Sequence, residues 1–131
     1  MTSNDHHKSL IDSFATLCKP LLDHSDQAVY IYLDDHNKVC NKKFASLLGY
    51  ATPEEWASVK TSFPQTFVEK KSQSVLVSAF QQAMEKIIAS TIDVTWKKKS
   101  GESVPTSVIL TPIVFENHFF ALHFITSKSK Q

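Results

Sequence analysis

Between residues 8 and 22, Leu10, Ile11, Phe14, Leu17, Cys18, Leu21 and Leu22 recur at i, i+3, i+4 and i+7, which gives a helix one apolar stripe and one wet face. Pro20 falls inside that stripe and predicts a kink or stop near Lys19. The segment AVYIYLDDHNKVCN follows. Its first half is β-branched and aromatic, its centre (Asp34, Asp35, His36, Asn37) is turn-forming, and its second half is short and apolar. This predicts a hairpin with Asn37 in the left-handed conformation. Asn41 then introduces Phe44, Leu47 and Leu48 at helical spacing, and Gly49 stands where a helix end takes a positive φ. Thr52, Pro53 and Glu55 supply the N-cap, first position and N3 carboxylate of a second short helix. Residues 61–69 contain Pro64 and show no period, which predicts a connecting loop or a single turn.

Across residues 72–90, Val75, Leu76, Ala79, Phe80, Ala83, Met84, Ile87 and Ile88 form the broad stripe of the longest helix. Beyond it the period switches to two. TIDVTWKKK, ESVPTSVILTPIVF and HFFALHFIT are three strands separated by turns at KSGE and EN, so neighbours pair antiparallel. The order of elements is an α+β layout: a five-stranded antiparallel sheet with helices on one face, preceded by an amphipathic helix.

Composition narrows the function. At 131 residues, 42% hydrophobic and 21% charged, the chain has the size and balance of one globular domain with a real core. No stretch approaches the roughly 18 apolar residues of a membrane span, and MTSNDHHKSL lacks the parts of a secretory signal, so a cytoplasmic location away from membranes is expected. Lysine supplies all 14 positive charges and the net charge is +1, which argues against sites built on bidentate arginine and against nucleic-acid binding. Cys18 and Cys40 read as two reduced, buried or half-buried thiols. Asp34-Asp35 belongs to a turn and Glu54-Glu55 to a helix start, so no catalytic constellation is in view and no enzyme is expected. His6-His7 is an adjacent pair without a fixed third partner, and no metal site is expected.

Asp34 at the end of the first strand, Asn41 before the helix, Leu48-Gly49-Tyr50, Lys99-Ser100-Gly101-Glu102 and Pro112 stand in an order that resembles the PAS (Per-Arnt-Sim) sensor family. The resemblance covers residues 28–126, flanked by a disordered terminus at 1–7, the helix at 8–22 and a polar tail at 127–131. His36-Asn37 departs from the Asp-Gly common there, and Phe124 stands where the family often has an aspartate.

The resemblance assigns faces to the strands. It implies that Val29, Ile31, Leu33, Ile92, Val94, Trp96, Thr106, Val108, Leu110, Phe120, Leu122 and Phe124 point toward the helices. An apolar ligand would then be lined by Phe80, Met84, Trp96, Val108 and Leu122, with Thr106 as the one polar handle. Flavin-binding members of the family carry a reactive cysteine before the long helix, and haem-binding members a histidine on or near it. This chain has no cysteine after Cys40, no arginine, and no histidine within residues 37–117, so neither cofactor is expected.

Tyr30, Tyr32, Ile109, Phe119, Ala121, His123 and Ile125 would form the outer face. With Leu10, Phe14, Leu17 and Leu21 of the first helix they make an expected interface, favouring a homodimer over a monomer whose helix lies on its own sheet. Two functions follow. One is a sensory module holding a small apolar ligand; the alternative is a ligand-free interaction or dimerisation module, in either case acting on a separate signalling partner.

Overall fold

The computed structural model describes residues 3–128. Helix α1 (Ser3–Leu17) breaks at Cys18, and Pro20 falls in the first turn of α2 (Lys19–His24), where its missing N–H costs nothing. The helix thus starts at Ser3, inside the segment expected to be disordered; residues 1–2 and the end of the polar tail, 129–131, lie outside the described residues.

Strands β1 (Ala28–Asp34) and β2 (Asn37–Cys40) form the first hairpin. Asn37 does not adopt the left-handed conformation. Instead Asp34 Oδ1 accepts hydrogen bonds from the His36 N–H at 2.9 Å and from Asn37 Nδ2 at 2.8 Å, so side chains shape the turn. The left-handed pair lies at Glu116 (φ 50°) and Asn117 (φ 65°), as a two-residue hairpin with matching twist requires.

Asn41 caps α3 (Lys42–Leu47): its Oδ1 accepts from the Phe44 N–H at 3.0 Å and the Val29 N–H at 3.1 Å, while Nδ2 donates to the Gln27 carbonyl at 3.0 Å. Gly49 follows with φ 84°. Thr52 Oγ1 accepts from the Glu55 N–H at 3.0 Å to start α4 (Pro53–Ala57). The expected loop at 61–69 contains a short helix, α5 (Phe63–Phe67). Phe63 and Phe67, one turn apart, are both buried, so tertiary burial decides a segment without a legible period.

Helix α6 (Lys70–Lys86) ends earlier than the stripe predicts. Ile87 takes the left-handed conformation at its C-terminus (φ 57°, ψ 49°), and Ile87 and Ile88 are exposed. A β-branched residue is strained there, and glycine is the residue that position favours. Ile87→Gly is therefore expected to raise stability by about 1 kcal/mol, read as a shift in the urea midpoint. An unchanged or lower midpoint would refute the strain.

Strands β3 (Ser90–Lys97), β4 (Ser103–Phe115) and β5 (His118–Ser127) complete a five-stranded antiparallel sheet in the order β2-β1-β5-β4-β3. Helices α3 to α6 pack on one face over a core that includes Tyr30, Phe44, Trp56, Phe67, Val94, Trp96, Val108, Leu110 and Ile125. On the opposite face Leu10, Ile11 and Phe14 of α1 bury Val29, Ile31, Phe120 and Leu122. Among the described residues no helix is long and apolar enough to cross a membrane.

The expected faces are correct for Ile92, Val94, Trp96, Thr106, Val108 and Leu110 and inverted for β1 and β5. Tyr30, Ala121 and Ile125 lie in the main core, and Val29, Ile31, Leu33, Phe120, Leu122 and Phe124 pack under α1. A shift of one residue exchanges every side chain between faces, and both faces of these two central strands are apolar, so hydrophobicity carries no sign there.

Candidate functional site

The inversion brings a different set of residues into the space between the sheet and α5 and α6. A pocket of about 140 Å³ opens there, lined by Tyr30 and Tyr32 of β1, His123 of β5, Phe63 and Pro64 of α5, and Leu76, Val77 and Phe80 of α6. Tyr30 and Tyr32 are two apart on a strand and so share a face; His123 is the register partner of Tyr30 on the neighbouring strand. Phe80 follows Leu76 by one helical turn, which places both over the sheet.

The rings define the shape. The His123 imidazole lies flat on Tyr30, with centroids 3.8 Å apart and planes at 10°. Phe63 stacks on Tyr30 at 5.4 Å, and Tyr32 meets Phe63 at 5.3 Å and Phe80 at 5.4 Å edge-on. The Tyr32 hydroxyl donates to Asp35 Oδ1 at 2.8 Å, which fixes its ring.

His123 is 2% exposed, and burial pushes its pKa down to about 3 even though the backbone carbonyls of Ala121 and Tyr30 act in the opposite direction. Its Nδ1 lies 3.1 Å from the Ala121 carbonyl oxygen, which only accepts, so Nδ1 carries the proton of the neutral ring. Burial also pushes the Tyr30 and Tyr32 phenols up, and for Tyr32 the Asp35 carboxylate adds to the effect. The three side chains that carry the pocket's polar groups are therefore uncharged at neutral pH. A volume near 150 Å³ with apolar walls admits a single aromatic ring.

Lys38 of β2 ties the β1–β2 turn to the end of α4. It is 3% exposed, donates through Nζ to the carbonyls of Asp35 at 2.9 Å and Ala57 at 3.4 Å, and lies 5.2 Å from the centre of the Trp56 ring. Burial, with the neighbouring Lys60 charge, pushes its pKa down to about 8.

No family model matches the sequence, and no curated protein matches it by sequence. Solved structures do. A PAS domain from Colwellia psychrerythraea superposes with a TM-score of 0.67 at 15% identity, covering 90% of this chain and 99% of its own. A PAS domain from a two-component sensor histidine kinase gives 0.66 at 14% identity, covering 89% and 98%. The LOV protein of Rhodobacter sphaeroides gives 0.67 at 12% identity, covering 88% and 67%. The chain has the PAS fold.

Within this PAS fold the residues expected to line a ligand site separate. Phe80 lines the pocket. Met84 packs at the margin of the main core one turn further along α6. Trp96, Thr106 and Val108 are fully packed core residues, and Leu122 points to the other face, under α1. Thr106 is no free handle: its hydroxyl accepts from Trp96 Nε1 at 2.8 Å and donates to the Val94 carbonyl at 2.8 Å.

The expected outer interface separates as well. Tyr30, Ala121, His123 and Ile125 are buried within the main layer, and Tyr32 is half-buried at the pocket. Leu10 and Phe14 are buried on the chain's own sheet, Leu21 is half-buried beside them, and Leu17, Ile109 and Phe119 remain exposed. Tyr30, Tyr32, His123, Phe63, Leu76 and Val77, which line the pocket, escaped the sequence reading. An imidazole among apolar strand residues was the one signal of a buried histidine, and the face assignment turned it outward.

Proposed function

We propose that this PAS domain is a sensory module whose signal is a small, flat, apolar ligand held against Tyr30 and His123. The single observation that carries the reading is the 140 Å³ aromatic pocket with a neutral imidazole in its wall. The sensor kinase among the structural neighbours supports a signalling role. The pocket has room for one ring rather than the fused system of a flavin, in keeping with the missing cysteine and arginine.

Native mass spectrometry of freshly purified protein tests this. The expected result is an added small-molecule mass that vanishes on denaturation and is absent from Val77→Trp, which fills the pocket from its rim. Bare polypeptide mass in both proteins, with no shift of pocket resonances when phenol or toluene is added, would overturn it.

The second reading, a ligand-free interaction module, draws on Leu17 and Ile109, exposed apolar side chains at the margin of the layer under α1. Its occupant is a second copy of the chain, and sedimentation velocity measures it directly. A monomer at high concentration would count against it.

A further inference from the structure

We propose that His6, His7 and His118 form a three-histidine site for a borderline divalent transition-metal ion, with Zn²⁺ as the probe. Two of these side chains lie on the first turns of α1 and the third begins β5, so the fold supplies the third partner that the adjacent pair lacks in sequence. Their ring centroids are 5.1 Å (His6 to His118), 5.6 Å (His7 to His118) and 6.2 Å (His6 to His7) apart. Three imidazoles on one tetrahedral ion, each with a metal–nitrogen distance of about 2.0–2.1 Å, place their centroids roughly 5 Å apart.

The outward hydrogen bonds point the same way. His7 Nδ1 lies 2.6 Å from Asp34 Oδ2. Asp34 Oδ1 already accepts from the His36 N–H and Asn37 Nδ2, and a carboxylate only accepts, so His7 Nδ1 donates to Oδ2. His118 Nδ1 lies 2.9 Å from the Glu116 carbonyl, which only accepts, so it too donates through Nδ1. With Nδ1 donating in each ring, Nε2 is the nitrogen left to hold an ion. A ring N–H given to a carboxylate or backbone carbonyl is the arrangement that orients metal-ligating histidines.

Among the described residues no group of three His, Cys, Asp or Glu side chains is placed to hold a metal ion as the rings stand; closing the site requires the exposed His6 ring to turn. An all-imidazole donor set selects zinc, copper, nickel or cobalt over magnesium and calcium. The bound ion clamps the start of α1 to the β4–β5 turn.

The test is calorimetric titration of the chelator-stripped full chain, without an affinity tag, with Zn²⁺. A Co²⁺ absorption spectrum reports geometry. One ion per chain with a tetrahedral cobalt spectrum is expected, weakened at least 10-fold by His118→Ala or His118→Gln, weakened about 10-fold by Asp34→Asn, and unchanged by His24→Ala. Circular dichroism establishes that each variant is folded. Binding that survives both His118 substitutions would assign the ion to the His6-His7 pair alone and overturn the site, as would no binding.

Discussion

Acidification from pH 6.5 to 3 is expected to cost the fold several kcal/mol through His123 alone. In the unfolded chain this imidazole takes up its proton near pH 6.5, whereas burial holds it neutral in the fold down to about pH 3. Between those values the unfolded state binds the extra proton, so stability falls as pH falls, by roughly 1.4 kcal/mol for each pH unit of the interval. The contribution is fully present above pH 6.5 and lost as the pH approaches 3. His123→Phe keeps a flat ring on Tyr30 and removes the titration. Urea denaturation of both proteins at pH 7 and 4.5 isolates the effect, because acid losses from carboxylates are common to the pair. Equal losses in the two proteins would show that His123 is not buried as a neutral ring.

Phe14→Ala is expected to cost about 3–5 kcal/mol, the usual range for emptying a buried aromatic site. Phe14 is 2% exposed, with its ring centre 5.0 Å from Phe115 and 4.8 Å from Phe120. Leu17, one turn further along α1, is 65% exposed, and Leu17→Ala should change monomer stability by less than about 0.5 kcal/mol. The pair separates two uses of one helix. Thermal melts report the cover over the sheet through Phe14, and sedimentation reports a second copy through Leu17. A small loss at Phe14 would mean that α1 does not pack on its own sheet.

The layout of the fold was legible wherever local chemistry decides. Asn41, Gly49, Thr52, Pro53 and Gly101 mark turns and helix ends with short-range rules, and the helical and alternating periods placed the longer elements. Besides the Asn37 turn and the early start of α1, three features were not legible, each for a physical reason. Helix α5 exists because Phe63 and Phe67 are buried against distant rings, which no window of sequence contains. The early end of α6 turns on Ile87, whose left-handed backbone runs against its own preference. The faces of β1 and β5 depend on a one-residue register, and AVYIYL is apolar on either reading. The candidate site inherited that ambiguity, so Phe80, on a helix, lines the pocket while Leu122, on a strand, lies under α1.

That register also has a mechanical side. Along β1 and β5 the pairs Tyr30–His123 and Ile31–Leu122 are consecutive, yet the first borders the pocket and the second the underside of α1. The residues that border the pocket and those that carry Leu10 and Phe14 are therefore joined by single peptide bonds. The two central strands thus tie the pocket wall to the bed of α1 through the thickness of the sheet. The path from the interior to the first helix is a single peptide unit long, with no loop in it.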